Sequence, residues 1–170
     1  MMELLLKRYF GGKTVTKSNL AVLVDGELVL ECEARELAYK SYTEKFAGST
    51  RFCIPCGIYK MKGRCTKYGL MTLRTQRMPF HSDVAIGWEM QNDSGKNVIV
   101  IGRSDGNPDP MMRGLTASRE TFELLTRYVY QTFGQNVTLT VTDEDIQTED
   151  EYWRQMSEKE EISMEKISDN

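Results

Sequence analysis

The sequence predicts an α+β fold, mainly antiparallel β arranged as a sandwich or barrel-like sheet, with one long helix in its C-terminal half packed on it. Three observations carry this. Short runs of alternating or β-branched apolar residues, separated by turn signals, fill the first two thirds of the chain. A single helical period appears at 116–133, and a strand pattern returns after it. A chain of 170 residues is long enough for one domain to bury a core without staples. The expected division is a domain over 1–142 and an acidic tail over 143–170.

The first strand is expected in "ELLLKRYF" (Glu3 to Phe10), ending at Gly11-Gly12. The clearest local signal follows it. Leu20 to Val24 and Leu28 to Cys32 flank Asp25-Gly26, a two-residue loop suited to the primed turn of an antiparallel hairpin. "RELAYKSYTEKFAGSTRF" is polar and weakly periodic, and reads as a long connection. "GIYKMKGRC" and "YGLMTLRTQ" alternate as half-buried strands do. "DVAIGWEM" and "KNVIVIGR" read as further strands, the second nearly continuous in β-branched residues. "GNPDPMMRG" is a loop, because Pro108 and Pro110 lack donors and restrict the residues before them.

In "TASRETFELLTRYVYQTFG", Phe122, Leu125, Val129 and Phe133 fall on one helical face, with Leu124 and Tyr128 widening it. Thr116 is the expected cap and Gly134 the expected C-terminal stop. "NVTLTVTD" is the next strand. In the tail, Thr148 and Glu151 have capping-box spacing, which predicts a short helix over 149–160 carrying Trp153 and Met156.

Charge is unevenly placed. Residues 143–170 hold eleven acidic and three basic side chains, a net −8, which leaves +5 for residues 1–142 within a whole-chain −3. The basic residues are spread along the chain, which argues against nucleic acid as a partner. The acidic tail reads as a solubilising extension or a partner-binding helix, and is a candidate for self-association. No run approaches a membrane span or the apolar core of a signal peptide, so a cytoplasmic protein with reduced thiols is the expectation.

"FCIPCGIYKMKGRC" holds three of the four cysteines. Cys32, Cys53, Cys56 and Cys65 could together supply a tetrahedral zinc site, although only Cys53 and Cys56 have knuckle spacing. The pair Cys53-x-x-Cys56 also fits a redox dithiol, but a strand pattern follows it where such sites open a helix. The third reading is that these are small buried hydrophobes. Asp105, Asn107 and Asp109 start like a calcium loop, yet Pro110 and Thr116 replace its required glycine and acid; turns formed by these side chains are the simpler reading. His81 is the single histidine, and Glu89 and Asp93 flank Trp88 and Met90 near the end of a strand pattern. No phosphate-binding, dinucleotide-binding or nucleophile-elbow motif is present, and no cofactor is expected.

"IPCGIY", "VAIGWEMQNDSGKNVIVIG" and "GLTASRETFELL" together resemble a small phage-associated domain family of unknown function that is distantly L,D-transpeptidase-like. The family shows I-P-x-G-x-Y, then I-x-I-H-x-G-N, then G-C-I-L-V-G, then a serine-arginine helix start. Ile54, Pro55, Gly57, Tyr59, Ile99, Gly102, Ser118, Arg119 and Phe122 match it. The family's histidine falls on Gly87 and its Gly-Cys on Asn97-Val98. The resemblance, which spans roughly residues 3–142, therefore implies a retained scaffold without the suggestive polar pair. The expected function is a non-catalytic structural or ligand-binding domain of phage or mobile-element origin. Its partner would be a protein or a cell-wall ligand, bound in a groove near Gly87, Trp88, Glu89, Asn97 and His81. The rival is a peptidoglycan-active enzyme using a group other than cysteine, drawn from Glu89, Asp93 or His81. A zinc-stabilised module is the third reading.

Overall fold

The structure is a computed structural model that describes residues 1–41, 52–65, 69, 71–76, 84–88, 98–132 and 136–169. Its strands are β1 (Met2–Gly11), β2 (Val15–Val24), β3 (Glu27–Leu37), β4 (Gly57–Cys65), β5 (Met71–Thr75), β6 (Ala85–Gly87), β7 (Val98–Ser104), β8 (Leu115–Thr116), β9 (Val137–Thr142) and β10 (Gln147–Thr148). Helix α1 is Ser118–Gln131 and α2 is Glu149–Ser168.

Eight strands close on themselves in the order β1-β2-β3-β7-β6-β5-β4-β9, with β9 returning to β1. The architecture is a closed barrel. Six of its eight pairings are antiparallel, while β6–β7 and β1–β9 are parallel. β6 and β7 are consecutive in the chain, whereas β1 and β9 are its first and penultimate strands. Closure leaves the ring no free edge, which removes the usual template for strand-on-strand aggregation.

The Asp25-Gly26 hairpin forms as the spacing predicts. Both residues have positive φ, 50° and 84°, and Val24 faces Glu27 across the turn. β3 runs further than its polarity suggests. It includes Arg35 and Glu36, placed above in the connection, because Glu36 points inward and is paired there. The middle of that connection lies outside the described residues.

Strand alternation fills the barrel. Met2, Leu4 and Leu6 of β1, Leu20 and Val22 of β2, Ile99 and Ile101 of β7, and Leu139 and Val141 of β9 are all buried. Helix α1 closes the end where β1 begins. Its Phe122, Leu125 and Val129 are buried, each contributing about 2 kcal/mol. Thr126 Oγ1 donates to Met71 O at 2.9 Å and Tyr128 Oη to Val29 O at 3.3 Å. The helix starts later than expected. Thr116 belongs to β8, and the cap position is Ala117 in a left-handed conformation with no side-chain bond. Phe133 and Gly134 lie outside the described residues.

The tail helix has the expected capping box, with Thr148 and Glu151 exchanging bonds. It continues for 20 residues, past the expected stop at 160, since "EISMEKIS" contains neither glycine nor proline. Among the described residues no helix is long and apolar enough to cross a membrane.

Candidate functional site

The other end of the barrel carries its most polar interior. Arg8 continues the inward series of Leu4 and Leu6 on β1, and its side chain is wholly buried. Glu36 reaches it from β3. Arg8 Nε donates to Glu36 Oε2 and Arg8 Nη2 to Glu36 Oε1, both at 2.8 Å, a bidentate pair. Nη2 also donates to Ile54 O at 2.6 Å, and Nη1 lies 3.7 Å from Cys56 Sγ. Arg8 thus ties the segment around Ile54 across the mouth. Burial pulls the guanidinium down, but the hydrogen bonds and charge of Glu36 outweigh it and raise its pKa.

The plug is held by backbone as well. Cys53 N donates to Ala38 O and Tyr39 N to Gly12 O, each at 2.9 Å. Tyr39 packs closely against Gly11, where any Cβ would sit 2.6 Å from its ring. Tyr39 Oη donates to Asp143 Oδ2 at 2.9 Å, joining the plug to the end of β9. Burial first, then Asp143, pushes the Tyr39 phenol up to about 12.

The Cys53-x-x-Cys56 pair sits in this plug. Cys53 is buried and Cys56 exposed. Burial raises both thiols, Cys56 to about 11, although Arg8 pulls them the other way. Near neutral pH they are thiols rather than nucleophilic thiolates. Cys32 lies in the middle of β3, opposite Leu20, where burial raises it to about 12; Cys65 is exposed at the end of β4, opposite Met71. The four cysteines do not gather into the suggested zinc knuckle. Among the described residues no group of three or more His, Cys, Asp or Glu side chains is placed to hold a metal ion.

A second polar cluster lies outside the barrel wall. Tyr9 Oη donates to Glu33 Oε2 at 2.6 Å, Arg35 Nη1 donates to the same oxygen at 2.7 Å, and Arg113 Nη1 is 3.7 Å from Glu33 Oε1. Lys17, on β2, is nearly buried. Its ammonium gives all three donors to the carbonyls of Pro110, Met111 and Arg113 at 2.6–2.9 Å. Burial lowers its pKa. The 105–114 loop is therefore pinned by a lysine. Asp105, Asn107 and Asp109 each accept from the backbone N–H two residues on, at 2.9–3.0 Å. They are turn formers, as the simpler sequence reading has it.

The groove expected near Gly87 and Trp88 is not an open wall at those two residues. Gly87 is buried in β6, opposite Val100 of β7. Trp88 is 7% exposed and its ring packs at a tilt against Phe122, with centroids 4.6 Å apart and planes at 59°, so it belongs to the core. Val98, on the family's cysteine position, opens β7 opposite Ala85. His81, Glu89, Asp93 and Asn97 lie outside the described residues.

The sequence reading missed Arg8, Glu36, Glu33 and Lys17. One signal was available for Arg8: the period of two that buries Leu4 and Leu6 also buries position 8. Nothing in the order of residues pairs it with Glu36.

Helix α2 is fastened to the barrel at its start. β10 pairs with the end of β1, Glu149 Oε2 accepts from Lys13 N at 2.7 Å, and Tyr152 Oη donates to Asp109 Oδ2 at 2.7 Å. The Tyr152 ring meets Phe10 edge-on at 6.3 Å. No residue of α2 is buried.

Comparison of the chain with protein-family models, with curated proteins and with solved structures returns no match.

Proposed function

We propose that this chain is a non-catalytic binding module, a closed barrel that displays an acidic helix to a partner. The observation that carries this is α2 itself: 20 residues, capped and anchored at its start, with none buried and with Trp153, Ile162, Met164 and Ile167 exposed. Such a helix gains little stability from its own chain, and its apolar side chains gain from a second surface. The barrel offers a rigid base. Its two ends are occupied by α1 and by the Arg8–Glu36 plug. Arg8 and Glu36 bond each other inside it, and Ser18 Oγ is buried there without a hydrogen-bond partner among the described residues.

The resemblance to the phage-associated family adds a lineage to this reading. On it, the scaffold comes from a phage or mobile element. The positions of the suggestive histidine and cysteine now carry Gly87 and Val98.

The test is incubation of the purified chain with peptidoglycan sacculi and with cross-linked stem peptides. No released or newly joined fragment is expected. Turnover, particularly turnover abolished by His81→Ala, would replace this reading with the cell-wall enzyme.

A further inference from the structure

Two surfaces of the molecule complement each other. The first is the distal half of α2. Met156, Glu160, Met164 and Ile167 follow at steps of four, four and three and share one face; Met164 and Ile167 are 73% and 76% exposed. Glu158, Glu161 and Glu165 run along the adjoining face at steps of three and four. They span about 10 Å at 1.5 Å per residue.

The second surface is on β4. Alternation turns Ile58, Lys60, Lys62 and Arg64 outward, and Ile58 is 75% exposed. The three cations span about 13 Å at 3.3 Å per residue. None of them forms a salt bridge among the described residues. Beside them opens a groove of about 520 Å³. Core side chains line its depth, Met61, Leu73, Val129 and Val137, each no more than 6% exposed, and Lys60 and Lys62 line it as well. Among the described residues no carboxylate lines it.

One chain does not join these surfaces to each other. α2 leaves the barrel where β1 ends, with Thr148 opposite Gly11, whereas Met61 and Val137 lie where β1 begins, with Val137 opposite Met2. A helix laid on the groove would come from another molecule. The same chain carries −8 on residues 143–170 and +5 on the rest, so a second copy has the required charge.

We propose that α2 of one copy docks on the β4 face of a second, with Glu158, Glu161 and Glu165 along the Lys60–Lys62–Arg64 row and Met164 and Ile167 over the apolar groove. Reciprocal exchange gives a closed two-fold dimer in which each copy donates and receives a helix. The inference rests on the reading of α2 as the docking element.

The experiment is light scattering behind size exclusion, with charge reversal and rescue. The full chain is expected at twice 19.5 kDa. Lys60→Glu with Lys62→Glu, and separately Glu158→Lys with Glu161→Lys and Glu165→Lys, are each expected at 19.5 kDa. All five side chains are exposed, and circular dichroism checks that the variants fold. Mixing the two variants places opposite charges at both contacts and is expected to restore the doubled mass. A full chain that stays at 19.5 kDa up to millimolar concentration overturns the second copy as partner. A dimer lost in a chain ending at Ser157 but kept by the lysine reversal overturns the groove and leaves α2 as the docking element. A dimer kept by both overturns the inference and the reading beneath it.

Discussion

Arg8 and Glu36 form a bidentate ion pair inside the barrel, with side-chain exposures of 0% and 3%. It spans β1 and β3 across the intervening β2 and also holds the carbonyl of Ile54. An ion pair this deep is weak evidence of net stabilisation, but breaking it from one side strands a charge. Glu36→Gln is therefore expected to cost about 3–5 kcal/mol in urea unfolding. The double change Arg8→Met with Glu36→Leu is expected to cost clearly less than the two single changes together. A Glu36→Gln loss below about 1 kcal/mol would mean that the pair is not what holds the plug.

Alkaline pH should weaken the fold. Cys32 and Cys56 are raised from 9.0 to about 12 and about 11, and Tyr9 and Tyr39 from 10.0 to about 12, so the folded chain holds these protons more tightly than the unfolded chain. The stability they contribute is present below the ordinary values and is lost as pH rises through the folded ones. Denaturation midpoints should stay level near neutrality and fall from about pH 9 upward. Cys32→Val should flatten part of that fall. A midpoint that rises over the same range would contradict the burial of these groups.

Thiol chemistry separates the cysteines by place. Cys65 and Cys56 are exposed and should react with an aromatic disulfide reagent in the native state, Cys56 more slowly because its thiol is held protonated. Cys32 and Cys53 should react only on unfolding. A chelator should leave the thermal midpoint unchanged. Four masked thiols that a chelator releases would restore the zinc reading.

Gly102 marks a close approach of backbone. A Cβ there would sit 2.6 Å from Thr116 O and 2.7 Å from Leu115 Cγ, displacing β8 where it leads into α1. Gly102→Ala is expected to destabilise the chain by about 1–3 kcal/mol. Denaturant titration with near-ultraviolet circular dichroism, which reports Trp88 against Phe122, would show the loss. A neutral effect would mean that β8 moves aside freely.

The hairpin at Asp25-Gly26, the span of β4 and the cap of α2 were legible because each depends on neighbours in sequence. Barrel closure was not. It needs β9 to lie parallel to β1, a pairing of residues more than a hundred positions apart that no local pattern carries. The same holds for Arg8 with Glu36 and for Lys17 with the 105–114 loop. Trp88 misled for a related reason: an aromatic residue at a strand end reads equally as groove or core, and only the position of Phe122 decides.

The most direct test of the central claim, that the barrel is complete without the distal half of α2, is thermal and urea unfolding of a chain ending at Ser157 beside the full chain. Because no residue of α2 is buried, the barrel transition should agree within about 0.5 kcal/mol when both are measured at a dilution that disfavours association. A loss of several kcal/mol, or a truncated chain without a cooperative transition, would show that the helix serves its own barrel and would contradict its assignment as a displayed docking element.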